Sequence, residues 1–128
     1  MNWVAKIQTA IDYIEDNITY ELDMNIPARI MLCSRHDFQR IFAYLVGIPL
    51  SEYLKRRRLT LAGIEIRDGK DKIMDISIKY GYESHASFTR SFKEFHGITP
   101  KESRENTNHM LNSYPEFSIY MSLEEQNV

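Results

Sequence analysis

The fold is decided by a stretch of sequence that occurs twice, as SRHDFQRIFAYLVGIPLSE at residues 34–52 and as SHASFTRSFKEFHGITPKE at residues 84–102. When the chain is shifted by 50 residues against itself, nine of the 29 positions from 24 to 52 are identical, far more than chance gives. Each copy reads as a short helix, a tight turn and a longer helix, which is the layout of a helix-turn-helix unit. The repeat therefore predicts two such units in tandem.

Hydrophobic side chains recur every three or four residues along nearly the whole chain, which is the period of an α-helix. Ser34 and Ser84 are positioned to cap the longer helices, Gly47 and Gly97 to end them, and Thr99 to open a last short one. The predicted helices cover about residues 2–17, 25–31, 34–46, 50–68, 72–80 and 84–96, with a seventh from residue 100. We therefore expect an all-α protein of about seven helices, with the long helix linking the two units.

The predicted linking helix carries two features that its packing must explain. Its apolar spacing places four side chains inward: Leu50, Leu54, Leu61 and Ile64. Gly63 lies in the interior of the same helix, where glycine costs about 1 kcal/mol relative to alanine.

Composition bounds the class of protein. The single cysteine, Cys33, excludes an intramolecular disulfide and fits a reducing compartment. The longest uncharged run, residues 41–51, is about half a membrane span, and no signal-peptide pattern opens the sequence. We find neither metal-ligand spacing nor a catalytic motif. The sequence thus predicts a soluble cytoplasmic protein that is not an enzyme and uses no cofactor or metal.

The net charge of −2 hides an asymmetry along the chain. Residues 1–33 carry a net charge of −3, residues 34–104 of +5, and residues 105–128 of −4. A basic middle between acidic ends is typical of a protein with a polyanionic partner, although charged residues often only solvate a surface.

The apolar stripe of each longer helix determines which side chains point outward. With Phe38 and Phe42 facing the core, a step of 100° per residue exposes His36, Gln39, Arg40 and Ala43. The same reasoning on the second copy exposes Ala86, Thr89, Arg90 and Lys93. Arginine pairs with guanine and glutamine with adenine in the major groove of DNA. One such face is most simply a solvated surface, but two faces with arginine at the same register favour DNA reading.

The residues that carry a family resemblance are Tyr80-Gly81-Tyr82-Glu83-Ser84, Phe88, Phe92-Lys93 and Gly97-Ile98-Thr99-Pro100, preceded by Ser34-Arg35-His36, Phe38-Gln39-Arg40 and Arg57-Arg58-Leu59. This pattern, over about residues 3–105, resembles the AraC/XylS transcription regulators. The resemblance implies two parallel recognition helices in successive major grooves on one face of DNA. It implies base contacts by His36, Gln39 and Arg40 and by Ala86, Ser87 and Arg90.

The complete candidate DNA-binding set is Arg35, His36, Gln39 and Arg40 in the first unit, and Ser84, His85, Ala86, Ser87, Thr89, Arg90 and Lys93 in the second. The sequence departs from the family pattern at Pro27, Met31 and Leu32, so the turn of the first unit is expected to be repacked. It also departs at Ser103, where an anchoring aromatic residue of the family is lost. The basic run at residues 55–58 spreads around a helix, so we expect one or two of its members near phosphates.

The sequence therefore predicts a DNA-binding transcription regulator, in the first instance an activator, that reads an asymmetric site as a monomer. RNA polymerase is a second candidate partner, and no membrane is expected. The alternative is a helical protein-interaction module, for instance one that docks RNA polymerase without reading DNA sequence.

The tail breaks the helical period, so we divide the chain into a DNA-binding domain at residues 1–105 and a tail at residues 106–128. Phe117, Ile119, Met121 and Leu123 alternate with polar residues or tyrosine, a strand-like period of two. The stretch looks like the entry to a GyrI-like effector-binding domain, whose remainder would have been lost by truncation or gene decay. The alternative is a frayed, acidic, flexible end.

Overall fold

The computed structural model describes residues 2–126, which form eight α-helices and no strand. The helices are α1 (Trp3–Asp16), α2 (Asn25–Ile30), α3 (Arg35–Val46), α4 (Leu50–Asp68), α5 (Ile73–Lys79), α6 (His85–His96), α7 (Pro100–Glu105) and α8 (Ile119–Gln126). The all-α prediction and the long helix at residues 50–68 are confirmed. The predicted number of helices is one too few, because the tail forms α8.

The first of two compact units runs to Tyr53 and includes the segment from Glu116 onward. Its buried apolar side chains recur at helical spacing: Ile7, Ile11, Ile14, Phe38 and Phe42. The ring of Phe42 meets that of Tyr53 edge-on, with ring centroids 5.1 Å apart. Burying each such side chain contributes about 1.5–3 kcal/mol relative to leaving it exposed.

The second unit comprises Leu54–Pro115. Its buried apolar side chains are Leu59, Ala62, Ile66, Ile76, Tyr80, Phe88 and Phe92. The prediction that Ile64 faces inward is wrong, because that side chain is 47% exposed while Ala62 and Ile66 are fully buried. The spacing of the leucines alone predicts the wrong buried face of α4, because small and aromatic residues also line that face.

The turn of the first unit differs from that of the second in its backbone conformation. Pro27 is buried in the first turn of α2, where a missing N–H leaves no helical hydrogen bond unmade. Leu32 has a left-handed backbone, with φ of 56°, at the place where the second unit has Gly81, with φ of 87°. A residue with a Cβ is disfavoured there by about 1–2 kcal/mol, so this turn is strained where the other is not.

The turn of the second unit is one residue longer than that of the first. The backbone hydrogen bond that closes the turn joins Cys33 to Ala28 in the first unit and Tyr82 to Ser77 in the second, a shift of 49 residues. The longer helices begin 50 residues apart. Before the turn, equivalent positions of the two units are therefore 49 residues apart. The 50-residue repeat, which pairs positions 24 and 26 with 74 and 76, is one residue out of register there.

The end of the tail packs on the first unit as a helix, so the predicted strand at residues 117–123 is wrong. Ile119 is buried, and its backbone N–H donates to Oε1 of Gln8 on α1 over 2.9 Å. The N–H of Phe117 donates to the hydroxyl of Tyr53 over 3.1 Å. Within residues 2–126, none of the helices has the length and hydrophobicity that crossing a membrane requires.

Candidate nucleic-acid interface

Local sequence determines where helix α3 begins and ends and which of its faces is buried. The hydroxyl oxygen of Ser34 accepts the N–H of Asp37 over 3.0 Å, which caps the helix start. Gly47, with φ of 91°, ends the helix. The buried faces of Phe38 and Phe42 then determine its rotation about its own axis.

Helix α3 exposes all four candidate residues of the first unit. They are Arg35, His36, Gln39 and Arg40. The guanidinium of Arg40 lies 3.4 Å from the carboxylate of Asp37, and both side chains are more than half exposed. A long, exposed pair contributes little to stability, so Arg40 can exchange Asp37 for a base or a phosphate at small cost.

Asp37 is a part of this face that the sequence prediction missed. It follows the cap residue Ser34 by three positions, and its spacing of three residues from Arg40 is the sequence signal that would have found it. A carboxylate accepts hydrogen bonds from the amino group of cytosine and repels phosphate. Asp37 therefore adds a negative charge to a face whose other charged side chains are Arg35 and Arg40.

Helix α6 of the second unit has the same construction. The hydroxyl oxygen of Ser84 accepts the N–H of Ser87 over 3.1 Å, and Gly97, with φ of 83°, ends the helix. Phe88 and Phe92 are buried, with ring centroids 5.7 Å apart. The two recognition-helix candidates thus share a serine cap, an inward pair of phenylalanines and a glycine stop.

The candidate residues on α6 differ in how accessible they are. Five of them are exposed, namely Ser84, His85, Ala86, Arg90 and Lys93. Ser87 is partly buried, and its hydroxyl donates to the carbonyl of Ser84 over 3.0 Å. Thr89 is also partly buried, and its hydroxyl lies 3.4 Å from Nε2 of His85. The most accessible cations of this face are Arg90 and Lys93.

The basic run on α4 is largely committed to the protein itself. Arg57 is only 8% exposed and donates to the carbonyl of Tyr114, and the guanidinium of Arg56 lies 5.3 Å from the centre of the Tyr114 ring. Burial lowers the pKa of the Arg58 guanidinium. Lys55 is exposed, which leaves it as the most accessible candidate phosphate contact of the run.

The surroundings of the Cys33 thiol lower its reactivity. Burial is the main cause that raises the pKa of the Cys33 thiol, and the nearby carboxylate of Asp37 adds to it, so the thiolate is disfavoured. Among residues 2–126, no three His, Cys, Asp or Glu side chains cluster as a metal site requires.

Two compact units, each with a capped helix that presents polar side chains, define a protein of the helix-turn-helix class. The family described as "Helix-turn-helix domain" matches residues 28–106. The chain belongs to the AraC/XylS family of helix-turn-helix transcription regulators, as its sequence motifs indicated.

Known relatives agree with this membership. The chain is 35% identical to the HTH-type transcriptional activator AarP of Providencia stuartii, over 73% of this chain and 70% of the relative. It is 35% identical to the regulatory protein SoxS of Salmonella typhimurium, over 77% of this chain and 92% of the relative. The family and these relatives are transcription regulators rather than enzymes.

Solved structures share the fold. An AraC-type transcriptional regulator from Chromobacterium violaceum is 26% identical, with a TM-score of 0.68 over 79% of this chain and 90% of that one. The DNA-binding domain of the transcriptional factor AdpA, solved in complex with a target DNA, is 18% identical, with a TM-score of 0.67 over 82% of this chain and 92% of that one.

Proposed function

We propose that this regulator binds double-stranded DNA in a sequence-specific manner through the exposed faces of α3 and α6. The observation that carries the proposal is that Arg40 and Arg90 occupy the same position on two serine-capped helices, six residues after the cap, and are both exposed. An α-helix fits the major groove, and arginine there pairs with both acceptors of guanine. The shared fold of AdpA, which was solved in complex with a target DNA, supports DNA binding.

The proposal extends to the form of the site. Because one chain carries two recognition helices of different sequence, we propose that it reads an asymmetric site as a monomer. Its two helices would enter successive major grooves, roughly one helical turn apart. The DNA-binding set that we propose is the predicted one, with Arg35, His36, Gln39 and Arg40 on α3. On α6 and its cap it comprises Ser84, His85, Ala86, Ser87, Thr89, Arg90 and Lys93.

We further propose that the protein activates transcription in the cytoplasm of a bacterium. AarP is named an activator and comes from a bacterium, as does SoxS. RNA polymerase is the proposed second partner, and α5 exposes Met74 and Ile78, the kind of apolar side chain that protein interfaces use. The division into a DNA-binding domain at residues 1–105 and a tail at 106–128 stays a proposal. The likeness of the tail to the entry of a GyrI-like domain loses its support, because it rested on a strand at residues 117–123 where the structure has α8.

The arginine assignments predict distinct losses of base preference. After a preferred site has been selected from random oligonucleotides, Arg40→Ala and Arg90→Ala should each weaken binding to it by about 1–3 kcal/mol. Each variant should also lose preference at a different base position, because each arginine reads a different groove. Affinity is measured by fluorescence anisotropy on the selected site and on every single-base change of it.

Lys70→Ala is the control, because Lys70 is an exposed cation in the loop after α4, outside both recognition helices. It should leave base preference unchanged. A loss that is equal on all sequences would show that the arginine contacts phosphate and that its assignment to a base is wrong.

A further inference from the structure

The segment His109–Tyr114, which we call the tail strap, caps the end of the second recognition helix. Nε2 of His109 donates to the backbone carbonyl of His96 over 3.1 Å, and the side-chain amide of Asn112 donates to the carbonyl of Phe95. Both carbonyls belong to the last turn of α6, where backbone oxygens have no partner inside the helix. The strap thus supplies donors that the helix itself lacks.

His96 connects the strap to two helices at once. Its ring is buried, and Nε2 donates to the backbone carbonyl of Leu59 on α4 over 2.7 Å. Nδ1 accepts the backbone N–H of Asn112 over 3.1 Å. Because each ring nitrogen has a different role, the hydrogen bonds require the neutral ring with its proton on Nε2.

The far end of the strap is attached to α4. The N–H of Tyr114 donates to the hydroxyl of Thr60 over 2.8 Å. The backbone carbonyl of Tyr114 accepts from the guanidinium of Arg57. Arg57 and Thr60 are both buried. The strap therefore spans from the end of α6 to the middle of α4, and both of its ends are fixed.

Gly63 makes this approach between the helices sterically feasible. A Cβ at that position would lie 2.8 Å from Nε2 of His96 and 3.2 Å from the side chain of Leu111 in the strap. Both distances are shorter than ordinary van der Waals contact, so glycine allows His96 and the strap to sit against α4.

We propose that the tail strap positions α6 for base reading, with His109 and Asn112 as its positioning residues; this inference rests on the proposed function. The strap holds the C-terminal end of α6, while Arg90 and the helix start face the DNA. A recognition helix must hold its side chains to within about 0.5 Å and 10–20° for base-specific hydrogen bonds. When its last turn is hydrogen-bonded through the strap to α4, α6 keeps one orientation. Without these hydrogen bonds, the orientation of α6 varies.

The test uses the full-length double variant His109→Ala, Asn112→Ala, with Asn108→Ala as the matched control, since Asn108 is an exposed asparagine of the same tail. Binding is measured on the selected site and on all its single-base changes, at a temperature where circular dichroism shows each variant fully folded. We expect about tenfold weaker binding to the selected site for the double variant and no change for the control. The penalties at the base positions assigned to Arg90 should shrink, and those assigned to Arg40 should stay.

A strap with only a structural role would lower the melting temperature and leave the pattern of base penalties unchanged, and that result would overturn the proposal. If the double variant does not fold, Asn112→Ala alone must show a smaller but equally selective loss of base discrimination at the positions assigned to Arg90. If this loss is not seen, the proposal for the strap is wrong. His109→Gln keeps an N–H donor at this position and should therefore keep the base discrimination of the unaltered protein. Failure of the proposed function has a different signature, because the unaltered protein would then show no base preference at all.

Discussion

At the scale of single residues, helix propensity and packing make opposite demands on Gly63. Propensity alone predicts that alanine at this position stabilises α4 by about 1 kcal/mol. The Cβ would however meet the ring of His96 at 2.8 Å, and that ring is buried and hydrogen-bonded at both nitrogens. The ring cannot move aside without loss of those bonds, so packing outweighs propensity here.

Gly63→Ala should therefore lower the free energy of unfolding by up to about 2 kcal/mol, because overpacking costs about 1–3 kcal/mol and the propensity gain offsets about 1 kcal/mol of it. Urea denaturation followed by circular dichroism measures the change. Ile64→Ala is the control on the neighbouring exposed residue and should change stability by less than about 0.5 kcal/mol. A rise in stability for Gly63→Ala would show that the close approach of His96 to α4 is wrong.

The buried ring of His96 makes the stability of the fold depend on pH. Burial is the main cause that lowers the pKa of this ring from 6.5. The hydrogen bond to the Leu59 carbonyl opposes it, and the neighbouring His109 and Arg67 lower the pKa by smaller amounts. The folded state therefore binds its proton at lower pH than the unfolded state does. The stability that depends on the neutral ring is complete above about pH 6.5 and is lost as the pH falls toward the depressed pKa.

The free energy of unfolding should accordingly fall as the pH is lowered from about 7.5 to 5, and His96→Gln should flatten that dependence. Glutamine keeps one donor and one acceptor and does not titrate. Denaturation curves at several pH values give the slope for both proteins. An identical slope in the variant would mean that another group causes the pH dependence.

At the scale of elements, the predictable helices are those whose signals are local. Ser34, Ser84 and Thr99 each accept a backbone N–H three residues later, as their cap positions predicted. Packing between distant parts of the chain was not predictable, because the hydrogen bonds of His96 join residues 37 and 16 positions apart. The candidate DNA faces followed from helix period, whereas the strap became visible only with side-chain positions.

The tail shows why a short pattern misleads. Alternation over Phe117, Ile119, Met121 and Leu123 fits a strand, but Ile119 and Leu123 are also four residues apart and share one face of a helix. In α8, Ile119 is 2% exposed and Met121 is 64% exposed, as a helix on the first unit requires. A helix also satisfies its own backbone hydrogen bonds, whereas a strand needs a neighbour.

Ile119→Ala tests whether α8 packs on the first unit. The substitution should reduce the free energy of unfolding by about 2 kcal/mol, at the lower end for a buried isoleucine because α8 lies near the chain end. Met121→Ala, on the exposed face, should change it by less than about 0.5 kcal/mol. Equal and negligible effects of both substitutions would show that this part of the tail does not pack as described.

At the scale of the whole molecule, charge is distributed as a DNA-binding protein requires despite the net value of −2. Fourteen of the 16 basic residues lie between residues 34 and 104, which include both recognition helices. The arginines of α4 that are committed to packing reduce the number available to phosphates. We therefore expect roughly six to ten phosphate contacts at most.

The dependence of DNA binding on salt separates a DNA-reading protein from a protein-interaction module. Anisotropy titrations with the selected site and with a random duplex, over a series of salt concentrations, give both the slope and the sequence preference. We expect log K to fall by about 5–9 per tenfold increase in salt, with the selected site bound at least about 10³-fold more tightly than the random duplex. A slope near zero on both duplexes, with no preference between them, would contradict DNA reading and favour a protein-interaction module instead.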